Sequence, residues 1–184
     1  MSSPAETPTQ HSLRHLLQDT NTFATCVELV TTRGTIAERS GQKVLELARA
    51  LAENPEIHAL SITDNPGGNA MMATDVLGND LASRGQEVVI HLSCKDFNRN
   101  GLQSRAWQLA SEGFNNILAL SGDYPIAGYE GVASPVFDID SVALLEILSS
   151  MNRGLETVGR KGKTTRMQKT GFFLDQRENR QRVR

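Results

Sequence analysis

An α/β fold built on a parallel sheet is what this sequence predicts, and three observations carry it. Two short apolar runs, Val88-Val89-Ile90-His91-Leu92 and Asn116-Ile117-Leu118-Ala119-Leu120, read as strands. Between them, residues 98–113 have helical spacing, with Leu102, Ala106, Leu109 and Ala110 on one face. Both runs end in polar groups: His91, Ser93 and Asp96 after one, Ser121 and Asp123 after the other. Two strands joined by a helix form the βαβ unit of a parallel sheet. The carboxyl edge of such a sheet is where ligands bind.

The remaining elements follow in order. Residues 1–10 are polar and expected to be disordered. Residues 11–18 form a short amphipathic helix with Leu13, Leu16 and Leu17 on one side. Residues 24–30 are the first strand, and 31–40 a polar loop containing Gly34. Ser40 is the expected N-cap of a helix whose apolar positions are Val44, Leu47, Ala48, Leu51 and Ala52, closed by Asn54-Pro55. Residues 57–63 are the second strand, followed by the turn-rich Asp64-Asn65-Pro66-Gly67-Gly68-Asn69. A helix over 70–84 stops at Gly85. Beyond the fourth strand, 124–136 is a Gly/Pro-containing loop. Asp138 or Asp140 caps the next helix, whose apolar positions are Val142, Leu145, Leu148 and Met151; Gly154 stops it. A basic loop over 160–166 follows, and residues 170–174 start a fifth strand.

Four β-α units and a further strand fit two architectures, a doubly wound open sheet or the first half of a (β/α)8 barrel. The first strand lacks the G-x-G-x-x-G of a dinucleotide-binding turn, and residues 159–165 do not make a Walker A loop. A whole (β/α)8 barrel takes about 250 residues, and this chain has 184.

Composition narrows the function classes. Hydrophobic residues make up 39% and aromatics 5%, so the core is aliphatic. The net charge of −2 hides an asymmetry: residues 1–152 carry net −9 and residues 153–184 net +7. A basic end of this kind either touches phosphates and acidic surfaces or is simply solvated. No nucleic-acid partner is expected. Cys26 and Cys94 have no Cys/His ligand spacing, which argues against a zinc site. Two isolated cysteines fit a reducing cytoplasm. No apolar run reaches membrane-spanning length and no secretory signal is visible, so no membrane partner is expected.

The chemistry-bearing candidates sit at strand ends. Glu28 lies in the apolar Cys26-Val27-Glu28-Leu29-Val30; an enclosed carboxylate there has a raised pKa and serves as a general acid. The plainer reading is a strand-end carboxylate in water. Gly122-Asp123 allows close backbone approach to a ligand, or is simply turn chemistry. His91 reads as a hydrogen-bonded core histidine before it reads as a catalyst. Trp107 and Met71-Met72 read as packing. Asn65 to Asn69 can cradle an anion with backbone amides, a weak motif.

Four strand ends, Val27-Glu28-Leu29, Ser61-Ile62-Thr63, His91-Leu92-Ser93-Cys94-Lys95-Asp96 and Asn116 through Ser121-Gly122-Asp123-Tyr124-Pro125, together resemble the methylenetetrahydrofolate reductase family over about residues 24–173. The resemblance implies a (β/α)8 barrel of which about the first half, strands one to four and the start of five, is present. It implies that NADH or NADPH reduces FAD, and that the reduced flavin converts 5,10-methylenetetrahydrofolate to 5-methyltetrahydrofolate. Glu28 matches the general acid. Asp123 matches the carboxylate beside flavin and pterin. Thr63, His91, Leu120, Ser121, Gly122 and Asp123 match flavin-contacting positions. Ser121 stands where many members have an arginine by the flavin phosphates, and serine lacks that charge-assisted contact. Asp64 stands where an aromatic residue is common. The expected organisation is an N-terminal disordered or short helical segment over 1–22, a partial barrel over 23–174, and a charged, disordered tail over 175–184. Such a half-barrel is expected to work as a homo-oligomer or with a complementing chain. The competing reading is a non-catalytic half-barrel that binds a pterin or a partner and assists a methyltransferase.

Overall fold

The computed structural model describes residues 12–19, 21–125, 131, 133–158 and 164–174. The expectations for 1–10, for the tail 175–184 and for residues 160–163 of the basic loop lie outside them. The elements are α1 (Leu13–Gln18), β1 (Cys26–Val30), α2 (Arg39–Ala52), β2 (Ala59–Thr63), α3 (Thr74–Ser83), β3 (Glu87–Ser93), α4 (Arg99–Ser111), β4 (Asn116–Leu120), α5 (Ser141–Arg153), β5 (Glu156–Val158), β6 (Thr164–Arg166) and β7 (Phe173–Leu174). One short 3-10 turn, Pro66–Gly68, lies between β2 and α3.

The main sheet runs β1-β2-β3-β4-β7, and every pair in it is parallel. A doubly wound sheet reverses direction at a switch point. Here β1 to β4 lie in chain order without reversal, so connections of one hand put every helix on one face. The core confirms it. Leu45 and Ala48 of α2, Leu77 and Leu81 of α3, Leu102, Ala106 and Leu109 of α4, and Leu144 and Leu148 of α5 all join one cluster with Leu60, Ile62, Ile90 and Ile117. Burying each such leucine or isoleucine contributes about 2 kcal/mol. Four parallel strands with outer helices in this order are the first half of a (β/α)8 barrel.

Strand side chains alternate between faces. The opposite face of the sheet, the one that would line a barrel, begins with Ala59 and Val89, and these are covered by Leu13 from α1. The short N-terminal helix therefore plugs the amino-terminal end of the inner face. Farther along the same face come Ser61, Thr63 and His91.

Several local expectations change. The helix after β1 starts at Arg39 rather than after Ser40, because Thr35 and Glu38 form a reciprocal turn. The Glu38 carboxylate accepts from Thr35 N at 2.9 Å, and Glu38 N donates to Thr35 O at 3.1 Å. α3 begins at Thr74 rather than 70, because the preceding segment is tied down by Met71 N donating to Asn65 Oδ1 and Met72 N to Thr32 O, both at 2.8 Å. Trp107 is 37% exposed rather than packed in the core. It neighbours the buried Ala106, about 100° farther round the helix. Val142 is likewise exposed, while Leu144 takes the buried place. Part of the expected basic loop is ordered as an antiparallel pair, Glu156–Val158 with Thr164–Arg166. The fifth strand is short and pairs Phe173 and Leu174 with Asn116 and Ile117.

Candidate active site

The carboxyl ends of β1 to β4 bring together residues from four separate stretches of sequence. Register places Glu28 beside Ser61, Val30 beside Thr63 and His91 beside Leu118. Thr63 Oγ1 donates to Glu28 Oε1 at 2.8 Å. Ser61 Oγ and His91 Nε2 are 2.6 Å apart. The inner face thus carries a polar layer of two hydrogen-bonded pairs, Glu28 with Thr63 and Ser61 with His91.

His91 is only 5% exposed. Burial pushes its pKa below the ordinary histidine value, and the nearby Glu28 charge works against that shift. Its other ring nitrogen, Nδ1, is buried and has no partner among the described residues; neither has Thr32 Oγ1, just beyond β1. Buried polar atoms in proteins are nearly always satisfied. An unpaired nitrogen and hydroxyl at a carboxyl edge are what a bound ligand's polar rim would complete. Glu28 itself is exposed. The apolar enclosure expected for it is absent from the described residues, because β1 is an edge strand with a neighbour on one side only.

Asp123 is exposed and lies just past β4. Gly122 before it has φ +86°, and a Cβ there would overlap Ser93 Oγ and lie 3.0 Å from the Lys95 side chain. Ser121 Oγ accepts from Ser141 N at 3.1 Å. It is also 3.2 Å from Ser141 Oγ. The Ser121 hydroxyl therefore joins β4 to the start of α5. Leu120 lies at the end of β4 and is half-buried. Among the predicted site residues, the hydrogen bonds and register join Glu28, Thr63 and His91 on one face. Ser121, Gly122 and Asp123 follow on the β4 loop.

Behind this edge lies a buried charged network that sequence reasoning missed. Lys95 is 2% exposed and pairs with Asp96. Asn65 Nδ2 donates to the same Asp96 oxygen at 3.1 Å. Asp64 Oδ2 accepts from Ser93 N at 3.2 Å. Burial raises the Asp64 pKa, the Ser93 amide opposes the rise, and the Asp96 charge adds to it. The loop proposed as an anion cradle thus already faces a carboxylate of the protein itself. No local pattern signals this network, since its members follow two different strands. Tyr124 and Phe137 stack with ring centroids 6.2 Å apart; they too were absent from the expected site. Cys94 is buried, and burial pushes its thiol pKa up to about 12, so it is no nucleophile.

Polar side chains converging at the carboxyl ends of singly wound parallel strands define the active-site edge of a barrel enzyme. The sequence model of the methylenetetrahydrofolate reductase family matches residues 13–155. That span contains α1 to α5 and β1 to β4, and the chain belongs to this family. No curated protein matches the chain. Among the described residues, no helix is long and apolar enough to cross a membrane.

Proposed function

We propose that the chain carries the cofactor-facing half of a flavin-dependent reductase site that converts 5,10-methylenetetrahydrofolate to 5-methyltetrahydrofolate, with NADH or NADPH as donor. Family membership supports oxidoreductase chemistry on a folate. The observation that carries the finer reading is the inner-face layer, Glu28 with Thr63 and Ser61 with His91, with His91 Nδ1 left buried and unpaired.

FAD, when bound, supplies the hydride chemistry; the residues supply position and a proton. Thr63, His91, Leu120, Ser121, Gly122 and Asp123 hold the flavin. His91 Nδ1 offers a hydrogen bond, and Gly122 presents backbone without a side chain. Glu28, one oxygen fixed by Thr63, takes the general-acid role at the folate nitrogen as the imidazolidine ring opens, with the enclosure that this role needs supplied by the bound flavin and folate rather than by the described strands. Asp123 orients the pterin and sets the local charge. Ser121 contributes no cation, so flavin phosphates lose one contact that an arginine would give. The working unit is a homo-oligomer or a complex with a complementing chain, since β1 has an open edge and Phe23 just before it is 87% exposed. The chain is organised as a partial barrel over 23–174, flanked by 1–22 and 175–184. The setting is the cytoplasm, in keeping with a sequence of only two, widely spaced cysteines.

The test is the visible spectrum of the purified protein with added FAD. Flavin bands that bleach with NADH or NADPH and return with methylenetetrahydrofolate are expected. Absence of flavin binding overturns the reading and favours a pterin- or partner-binding module.

A further inference from the structure

Lys95 stands where a charge is hard to keep. It is 2% exposed, and no other lysine is buried among the described residues. An ammonium out of water needs a partner, and even a paired one adds little stability over an apolar side chain. The best-attested use of a buried ion pair is to fix how neighbouring segments sit.

The contacts of Lys95 lead to both ends of the β4 loop. Its stem lies beneath Gly122, where a Cβ would sit 3.0 Å from both Cγ and Cδ of Lys95. Its carbonyl oxygen accepts from Val136 N at 2.8 Å, where the chain returns before α5. One residue past β3 thus meets the chain as it leaves β4 and as it comes back. Next to it, Cys94 N donates to Leu120 O at 2.9 Å and ties the same segment to the end of β4. The ammonium is held by Asp96. Asp96 also accepts from Asn65 Nδ2 at 3.1 Å, and Asn65 Oδ1 accepts from Met71 N at 2.8 Å. The segments after β2, β3 and β4 therefore meet around one cation.

Gly122 has φ +86° and no side chain with which to anchor itself. A purely apolar stem beneath it could change rotamer. A stem fixed by the backbone at one end and by an ion pair at the other cannot swing away. The charge also acts on Asp64, whose carboxylate accepts from Ser93 N at 3.2 Å. Burial is the main cause of the raised Asp64 pKa; the Asp96 charge adds to the rise and the Lys95 charge opposes it.

We infer that Lys95 is the positioning residue of the β4 loop, setting where Gly122 and Asp123 stand at the carboxyl edge. That these two residues face a flavin rests on the proposed function; their placement by Lys95 does not.

Backbone amide order parameters of the full chain without ligand test it. In the unaltered protein Gly122 and Asp123 should be as ordered as the ends of β3 and β4. Lys95→Met keeps a long apolar stem and removes the charge. It should lower the order parameters at 122–123 and leave those of α2, α3 and α4 unchanged. That variant leaves Asp96 without its cation, so Lys95→Met/Asp96→Asn, which removes both charges together, guards against misfolding and should loosen the same residues. Carboxyl titration adds a signature that mere packing would not move: the Asp64 pKa should rise further in Lys95→Met. Titration with FAD should then show affinity weakened roughly tenfold or more in both variants. Unchanged order at 122–123 in both variants overturns the inference. Loosening spread evenly over the chain, or FAD affinity indifferent to both variants, also overturns it. Failure of the unaltered chain to bind FAD overturns the reductase reading instead, and the order parameters still decide the role of Lys95.

Discussion

Gly122 shows how one residue sets the geometry of the candidate edge. Its φ of +86° is expensive for any residue with a side chain, and a Cβ would overlap Ser93 Oγ. Gly122→Ala should cost about 1–3 kcal/mol in urea unfolding. A change below a few tenths of a kcal/mol would show that the β4 loop relaxes freely. Asp64 makes a pH-dependent prediction. Its folded pKa lies above the ordinary value because of burial. Its favourable contribution is therefore present at acid pH and lost as pH rises through the folded pKa. Asp64→Asn keeps an acceptor for Ser93 N and removes the charge. The variant should be the more stable protein near neutral pH, and the gap should close on acidification below the usual carboxylate range. Urea midpoints measured across that interval check it; a gap that widens in acid contradicts the burial argument. His91 works in the other direction. Its lowered pKa means that stability is lost as pH falls from the usual histidine range toward the folded value.

At the scale of elements, helix starts and inter-helix pairs do the positioning. Asp140 Oδ1 accepts from Ala143 N at 2.8 Å, the N-cap of α5. Asn98 does the same for α4, accepting from Gly101 N at 2.9 Å. Asp140→Ala should cost about 1 kcal/mol. Because α5 begins against Ser121, the same change should also loosen the β4 loop, read as faster amide exchange at residues 121–123. Unchanged exchange there would separate the cap from the site. Helices α2 and α3 are joined by Arg49, whose guanidinium meets Asp80 at 2.6 Å, with Arg84 adding a second contact at 3.1 Å. The Arg49 hydrogen bond leads in holding Asp80 below the ordinary carboxylate range. Helices α3 and α4 are joined by the more buried Arg105–Asp75 pair, to which Gln108 adds a hydrogen bond at 3.0 Å.

For the whole molecule, the edge of β1 has no partner strand among the described residues, and that edge is where association is expected. Unpaired strand edges recruit further strands, and the exposed Phe23 adds apolar surface beside this one. Sedimentation of the pure chain should give at least a dimer. A monomer that still binds flavin would overturn the oligomer reading.

Much of this was legible in the sequence, and the reason is local. Hydrophobic period, cap residues such as Asp140 and stop glycines such as Gly154 act within a few residues, so strand and helix order could be read in one dimension. The strand-end motifs from Glu28 to Asp123 carried the family for the same reason. Contacts between elements were not legible. The exposure of Glu28 depends on β1 being an edge. The Asp64, Lys95 and Asp96 network depends on two strand ends becoming neighbours, and Ser121 reaches Ser141 only because α5 returns to β4. Burial and pairing of charges are properties of three-dimensional proximity. Periodicity along the chain therefore determined which elements form, and the tertiary structure alone decided which polar groups meet and which are left unpaired.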